Sequence, residues 1–91
     1  MKKEDHLLTV LAEECSEVAQ QACKALRFGM DDFDPRDPER VSNKRRIERE
    51  VAEVIAVANM LGLNIRESDK AEKMVRLEKY MKISKRVGRL E

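Results

Sequence analysis

Three stretches of the chain repeat apolar residues at intervals of three and four, the spacing of one helix face. In the first, from about Glu4 to Phe28, the stripe is Leu7, Leu8, Leu11, Cys15, Val18, Ala19, Ala22 and Leu26. The second ends at about Leu61 and has the stripe Ile47, Val51, Val54, Ile55, Ala58 and Leu61. The third, about Asp69 to Arg86, has a less regular stripe of Ala71, Met74, Val75, Leu77, Met81 and Ile83. No stretch alternates with period two, so the pattern predicts an all-α protein.

Local signals indicate where these helices begin and end. Gly29 is suited to stop the first helix, and GMDDFDPRDPERVS predicts a loop at about 29–42. Ser42 is suited to cap the second helix, Gly62 to close it, and Ser68 to cap the third. The loop lacks the ligand spacing of an EF-hand, so we expect its aspartates to form turns rather than to bind calcium.

The length of 91 residues predicts a single domain, 1–91, with a small core that is marginal without a partner. The apolar faces of the first two helices are wide, and we expect these helices to pair as an antiparallel hairpin. Two hairpins from two chains would close a four-helix core, so a bundle of about three helices per chain is completed by oligomerisation. We expect a homo-dimer or a homo-tetramer.

Charge and cysteine content narrow the class of protein. The 19 basic and 18 acidic residues leave a net charge of +1, and only three residues are aromatic, which argues against a nucleic-acid polymer as partner. No apolar run is long enough for a bilayer and no secretory segment opens the chain, so we expect a cytoplasmic protein without a membrane partner. Cys15 and Cys23 are too far apart on one helix for a disulfide, and we expect two buried thiols.

The first two helices carry the same pair of acidic residues beside the apolar stripe. Glu14 and Glu17 lie in LAEECSEV, and Glu50 and Glu53 lie in EREVAEVI. At about 100° per residue, Glu14 and Glu50 occupy equivalent angles at the edge of the stripe, and the second glutamate of each pair lies about 60° further out. Antiparallel packing is therefore expected to bring four carboxylates together at the rim of the core.

Four carboxylates within a few ångströms cannot all stay ionised without a compensating charge. Oxygen ligands without a nearby His or Cys ligand favour a hard cation, so we expect Mg²⁺, with Mn²⁺ as the alternative. The competing interpretation is that each pair is solvated and forms salt bridges with Lys or Arg one turn away. A ferritin-like di-iron centre is excluded, because His6 is the only histidine and such a centre needs Glu-x-x-His on two helices.

These motifs resemble those of the MazG-like family of all-α nucleoside triphosphate pyrophosphohydrolases. EECSE at 13–17 matches the family's Glu-Glu-x-x-Glu, and EVAE at 50–53 matches its Glu-x-x-Asp with Glu53 in place of the aspartate. RFG before the loop, ANMLGLNI after the second motif and KY at 79–80 are similar as well, so that the resemblance covers residues 7–86.

The resemblance implies hydrolysis of a (deoxy)nucleoside triphosphate to a monophosphate and pyrophosphate. It implies that Mg²⁺ is held by a set of four residues, Glu14, Glu17, Glu50 and Glu53. Glu13 would support these ligands, or orient or deprotonate the attacking water.

Basic side chains are expected to complete the phosphate site. Lys24 stands two turns after Glu17, where relatives often carry a lysine, and Arg46 stands one turn before Glu50. Each has the alternative of a salt bridge with an acidic neighbour. On the third helix, the positions that correspond roughly to phosphate contacts in relatives are Arg76, Lys79 and Tyr80, of which Tyr80 has packing as its alternative.

The chain also departs from the family pattern. Glu53 is one methylene longer than the usual aspartate, and Arg76 stands where an asparagine is frequent. The chain begins on the motif helix, so we expect a neighbouring subunit to help grip the base. Two other functions stay open: a non-catalytic nucleotide-binding or regulatory module of the same fold, and a plain oligomerisation bundle whose glutamates are surface charge.

Overall fold

The structure, a computed structural model, describes residues 1–91 and contains three helices, α1 Lys3–Phe28, α2 Asn43–Met60 and α3 Glu67–Arg86. No strand forms, although an isolated antiparallel bridge joins Phe33 and Ser42 across the loop. The predicted all-α class is therefore confirmed. None of the helices contains an apolar stretch of the length and hydropathy needed to cross a membrane.

Most of the predicted helix boundaries match the structure. Gly29 follows α1 at φ 98° and Gly62 follows α2 at φ 75°, conformations that favour glycine. The hydroxyl of Ser42 caps α2 by accepting a hydrogen bond of 3.1 Å from the backbone N–H of Arg45. The predicted cap at Ser68 is wrong, because α3 already begins at Glu67 and no side chain caps its first turn.

The aspartates of the two Asp-Pro steps organise the loop between α1 and α2. Asp34 accepts a hydrogen bond of 2.9 Å from the backbone N–H of Arg36. Asp37 accepts bonds of 2.9 and 3.0 Å from the backbone N–H groups of Glu39 and Val41. Both residues thus form turns, as the sequence predicts.

The loop returns the chain so that α2 runs antiparallel to α1. The side-chain amide of Asn43, at the start of α2, donates a hydrogen bond of 2.9 Å to the carbonyl of Gly29, at the end of α1. Further along the pair, Glu17 lies beside Glu50 and Glu14 beside Glu53. Residue numbers therefore fall on one helix as they rise on the other, and the predicted hairpin forms.

The contact between α1 and α2 follows one line along each helix. On α1 the residues that lose solvent exposure are Leu7, Val10, Leu11, Glu14, Val18, Gln21 and Ala25. On α2 they are Asn43, Arg46, Ile47, Glu50, Val54, Val57 and Ala58. Glu14 and Glu50 therefore lie within the line of contact and not at its edge, where the sequence analysis placed them.

The other half of the apolar stripe is uncovered. Its residues on α1 are Leu8, Cys15, Ala19, Ala22 and Leu26, and on α2 they are Val51 and Ile55. Leu26 is 88% exposed and Ile55 is 46% exposed. The expectation that Cys15 and Cys23 are buried is wrong for the single chain. The physical reason is the rotation of α1, which turns Leu7 and Val18 toward α2 and leaves both thiols outside the contact.

Helix α3 packs against neither α1 nor α2, and none of its residues is buried. Its exposed apolar side chains include Met74, Val75, Leu77 and Met81. In the whole chain the only buried apolar residues are Leu7, Val57 and Ala58. A single copy thus leaves most of its apolar surface in contact with water.

The cap at Ser42 supports a prediction about stability. Ser42→Ala removes the oxygen that accepts the N–H of Arg45, so we expect it to lower the free energy of unfolding by about 1 kcal/mol. Ser68→Ala is the matched control and should change that free energy by less than about 0.5 kcal/mol. Urea unfolding followed by circular dichroism, at one protein concentration, measures both. Equal losses in the two variants would contradict the capping role.

Candidate metal centre

Four glutamates from α1 and α2 meet on one side of the hairpin. One carboxylate oxygen from each of four residues lies within 4.8 Å of the other three, the residues being Glu14, Glu17, Glu50 and Glu53. The two acidic motifs are thus brought together, as the helix angles predict. We call these four residues the glutamate cluster.

Each of the two inner members of the glutamate cluster has one carboxylate oxygen that lacks a hydrogen-bond partner. Glu14 and Glu50 are half-buried in the helix contact, whereas Glu17 and Glu53 are exposed on its flank. The Oε2 atoms of Glu14 and Glu50 are each buried and accept no hydrogen bond. A buried carboxylate oxygen without a partner is costly, so a proton or a cation is needed to compensate for it.

The chain's own basic residues do not supply that cation. The ion pairs of the structure are Arg36 with Asp34, Arg45 with Glu48, Arg46 with Asp37, and Lys70 with Glu67. None of them involves the glutamate cluster. The salt-bridge part of the competing interpretation is therefore wrong for the single chain, whereas Glu17 and Glu53 are solvent-exposed as that interpretation expects.

Crowding and burial raise the proton affinity of the inner carboxyls. The pKa of Glu50 rises to about 7, first because burial disfavours its charged form and then because Glu17 and Glu53 lie beside it. The pKa of Glu14 is also raised, mainly by hydrogen bonding with Glu53. Near neutral pH, protons therefore occupy the place where a cation would relieve the same repulsion.

The donor set fits a hard divalent cation. All four groups are carboxylates, which Mg²⁺ and Mn²⁺ accept as ligands, and no imidazole or thiol is among them. A dication held here would replace the bound protons and supply the partner that Oε2 of Glu14 and Oε2 of Glu50 lack. The cluster thus has both the ligands and the electrostatic need for such an ion.

The predicted residues around the cluster lie at different places on the hairpin. Glu13 is exposed on α1 and is not among the four clustered glutamates. Lys24 follows Glu17 by two turns and forms no ion pair. Arg46 does form one, since its Nη2 lies 2.8 Å from Oδ2 of Asp37 in the loop.

The three predicted residues of the third helix do not meet the cluster within one chain. Arg76, Lys79 and Tyr80 are exposed on α3, which packs against neither of the other helices. Their role in binding phosphate stays a prediction, and it requires the α3 of another copy.

A cavity of about 470 Å³ lies between the end of α1, the loop and the start of α2. Its lining residues are Lys24, Phe28, Asp32, Phe33, Asp34, Pro35, Arg36, Asn43 and Arg46. It brings together Lys24 and Arg46, which the sequence analysis had selected separately. Phe28, Phe33 and Asn43 were not among the predicted site residues. Phe28 could have been predicted to lie near Lys24, because it follows Lys24 by one helical turn on the same flank.

Gln21 was also missed, and it lies between the glutamate cluster and the cavity. It falls one turn after Glu17 and nearly one turn before Lys24. Its Oε1 atom is buried and accepts no hydrogen bond. An unpartnered acceptor thus continues the line of the cluster along α1.

Comparison of the chain with protein-family models, with curated proteins and with solved structures finds no match. The resemblance to the MazG-like family rests on the two acidic motifs and the residues that flank them.

The raised pKa of Glu50 predicts an unusual pH dependence of stability. Because this pKa is about 7 in the folded chain against 4.5 for an ordinary glutamate, the folded state binds more protons between these values. Without divalent cations, the free energy of unfolding should therefore fall as the pH rises from 5 to about 7 and then level off. Asp34 does not contribute in this range, because its pKa is lowered to about 2.

Thermal melts in a chelator between pH 5 and 8.5 measure this effect. Glu50→Gln should raise the melting temperature at pH 8 and flatten the pH profile, because it removes a charge from the cluster. Glu13→Gln, the same change just outside the cluster, should keep the wild-type slope. A wild-type stability that increases from pH 5 to pH 8 would contradict the raised pKa.

Proposed function

We propose that the protein is a Mg²⁺-dependent hydrolase, with Mn²⁺ as an alternative ion, that converts a (deoxy)nucleoside triphosphate to a monophosphate and pyrophosphate. The observation that carries the proposal is the glutamate cluster, with two buried carboxylate oxygens that lack a partner. The resemblance of EECSE and EVAE to the MazG-like motifs supplies the reaction class. The proposed pool of nucleotide substrates is cytoplasmic, and we place the protein there.

The proposed metal ligands are the four members of the glutamate cluster. A bound dication would neutralise phosphate oxygens and lower the pKa of a bound water. Since the cluster is acidic and a triphosphate is anionic, the two repel each other unless a cation lies between them. These charges support the proposed dependence on a divalent cation.

Lys24 and Arg46 are proposed to bind the phosphates on the cavity side of the cluster. Lys24 lies on the same flank of α1 as Glu17 and forms no ion pair, so its ammonium group is free for an anionic ligand. Arg46 is held in place by Asp37, and its guanidinium keeps further N–H donors for a phosphate oxygen. Glu13, exposed beside the cluster, is proposed to orient or deprotonate the attacking water.

The remaining substrate contacts are proposed to come from a second copy of the chain. Arg76, Lys79 and Tyr80 lie on a helix that packs against nothing in its own chain. The uncovered apolar residues of the hairpin include Leu8, Leu26 and Ile55. A homo-dimer, or a homo-tetramer built from dimers, would bury both surfaces and bring α3 to a neighbouring site.

One observation favours a second candidate function, nucleotide binding without hydrolysis. Glu53 is longer than the aspartate of the motif that it resembles, and hydrogen bonding with it is the largest cause of the raised pKa of Glu14. The extra methylene of Glu53 changes the reach of that carboxylate and would shift a bound ion away from the position that an aspartate gives it. The hydrolase remains the preferred proposal.

A screen of the common ribo- and deoxyribonucleoside triphosphates, scored for pyrophosphate release with and without Mg²⁺, tests the proposed reaction. We expect activity only with the cation. Glu17→Ala and Glu50→Ala each remove a ligand and should lower activity by more than roughly 100-fold, with unchanged helicity by circular dichroism. Glu48→Ala is the control, because Glu48 lies on α2 outside the cluster and pairs only with Arg45.

Wild-type activity in Glu17→Ala or Glu50→Ala would overturn the metal assignment. If no triphosphate releases pyrophosphate, melting temperatures separate the other candidates. A rise with Mg²⁺ in the wild type that is lost in Glu14→Ala would support the binding module. No rise in either protein would leave only an oligomerisation bundle.

Sedimentation velocity at micromolar concentration tests the proposed assembly. We expect a mass of at least twice the 10.6 kDa of one chain. Ile55→Glu places a charge in the uncovered apolar face and should shift the protein toward the monomer. Ala56→Glu is the control, because the next residue along α2 points away from that face. A wild-type protein that sediments at 10.6 kDa would contradict the proposal.

A further inference from the structure

The cavity beside Lys24 has two aromatic walls, although the chain has only three aromatic residues. Phe28 contributes one ring and is 62% exposed, and Phe33 contributes the other and is half-buried. The guanidinium carbon of Arg40 lies 5.6 Å from the centroid of the Phe33 ring and helps to hold that ring. The volume of about 470 Å³ is typical of pockets for small ligands. Aromatic faces of this kind stack with nucleobases.

Besides the donors of Lys24 and the remaining N–H groups of Arg46, the cavity keeps free acceptors. Arg36 is engaged by Asp34 at 3.1 Å and Arg46 by Asp37 at 2.8 Å. Asp32 forms no ion pair and its carboxylate accepts no hydrogen bond from the chain. The cavity therefore offers an acceptor to a ligand with N–H donors.

Asn43 supplies a second free acceptor. It is only 6% exposed, and its Nδ2 donates to the carbonyl of Gly29 at 2.9 Å. This bond fixes the amide and leaves Oδ1 without a donor from the chain. Adenine, cytosine and guanine carry exocyclic amino groups, each with two N–H donors for such oxygens. Thymine and uracil offer only the single N3–H, which is flanked by two carbonyl oxygens that the acceptors of the cavity repel.

The charges also fix which end of a nucleotide enters the cavity. Arg36 and Arg46 are paired with aspartates, so the unpaired charges of the lining are Asp32 in the loop and Lys24 on α1. A phosphate is repelled by Asp32 and attracted to Lys24, whereas an uncharged base is not repelled by either. Lys24 stands between Phe28 and Glu17 on one flank of α1, about 6 Å from the first and about 10 Å from the second along the helix axis. A base between the phenylalanines thus directs its phosphates past Lys24 toward the glutamate cluster.

We propose that this cavity is the base pocket of the same chain and that it selects bases with an amino group over uracil and thymine. The proposal rests on the proposed function for its triphosphate substrate. It differs from the sequence expectation that a neighbouring subunit must grip the base, because the rings and both free acceptors belong to one hairpin and its loop.

Uncharged nucleosides test the pocket without involving the glutamate cluster. In NMR titrations of the full chain, cytidine and adenosine should shift the side-chain amide of Asn43 and the ring protons of Phe33. Their dissociation constants should be lower than those of uridine and thymidine by about tenfold or more.

Two variants test the groups assigned to the pocket. Phe28→Leu should weaken binding of every nucleoside roughly fivefold or more, since it removes a stacking surface while its exposed position preserves the fold. Asp32→Asn should reduce the preference for amino-bearing bases. Met30→Leu, an exposed neighbour outside the cavity, is the control and should bind as the wild type does.

Equal affinity for cytidine and uridine, or unchanged binding in Phe28→Leu, would contradict the proposed base pocket.

The base pocket and the proposed hydrolase activity can be disproved separately. Pyrophosphate release without base preference would overturn the pocket alone. Selective nucleoside binding by a chain that releases no pyrophosphate would overturn the hydrolase and support the pocket.

Discussion

The crowding of four carboxylates in the contact between α1 and α2 governs the electrostatics of the hairpin. Hydrophobic packing of the hairpin brings these groups together, and burial of the inner pair, Glu14 and Glu50, makes their charges costlier than on an open surface. No basic side chain of the chain intervenes. The folded state therefore gains stability whenever protons or a cation enter the cluster, so ion binding and folding are linked.

The loop holds the hairpin in the register that creates the cluster. Two aspartates close its turns, and Asn43 ties the start of α2 to the end of α1 through the carbonyl of Gly29. The same hydrogen bonds shape the cavity beside Lys24. One short segment thus determines both the separation of the carboxylates and the walls of the neighbouring pocket, so the two parts of the proposed site cannot be built independently.

Helical periodicity was sufficient to predict the three helices and the convergence of the glutamates, because both depend on angles around one helix. Local residue preferences were sufficient to predict the stop at Gly29 and the cap at Ser42. Helical periodicity did not predict which half of the wide apolar stripe forms the contact with α2. The thiols of Cys15 and Cys23 were therefore expected to be buried, whereas both are exposed. The cavity could not be predicted from the sequence pattern either, because Phe33 is positioned by a loop whose turns have no periodic pattern. Ser68 does not cap α3, because this helix begins at Glu67, two residues before the predicted start at about Asp69.

The isolation of α3 has a consequence for how the protein would behave at different abundances. Because α3 packs against nothing in its own chain, a site to which it contributed would be complete only after two copies meet. If that helix contributes to the neighbouring site, the number of complete sites rises with the square of the chain concentration when copies are scarce. Dilution would then abolish the activity of the protein without any inhibitor. Synthesis of more chain would be enough to restore that activity.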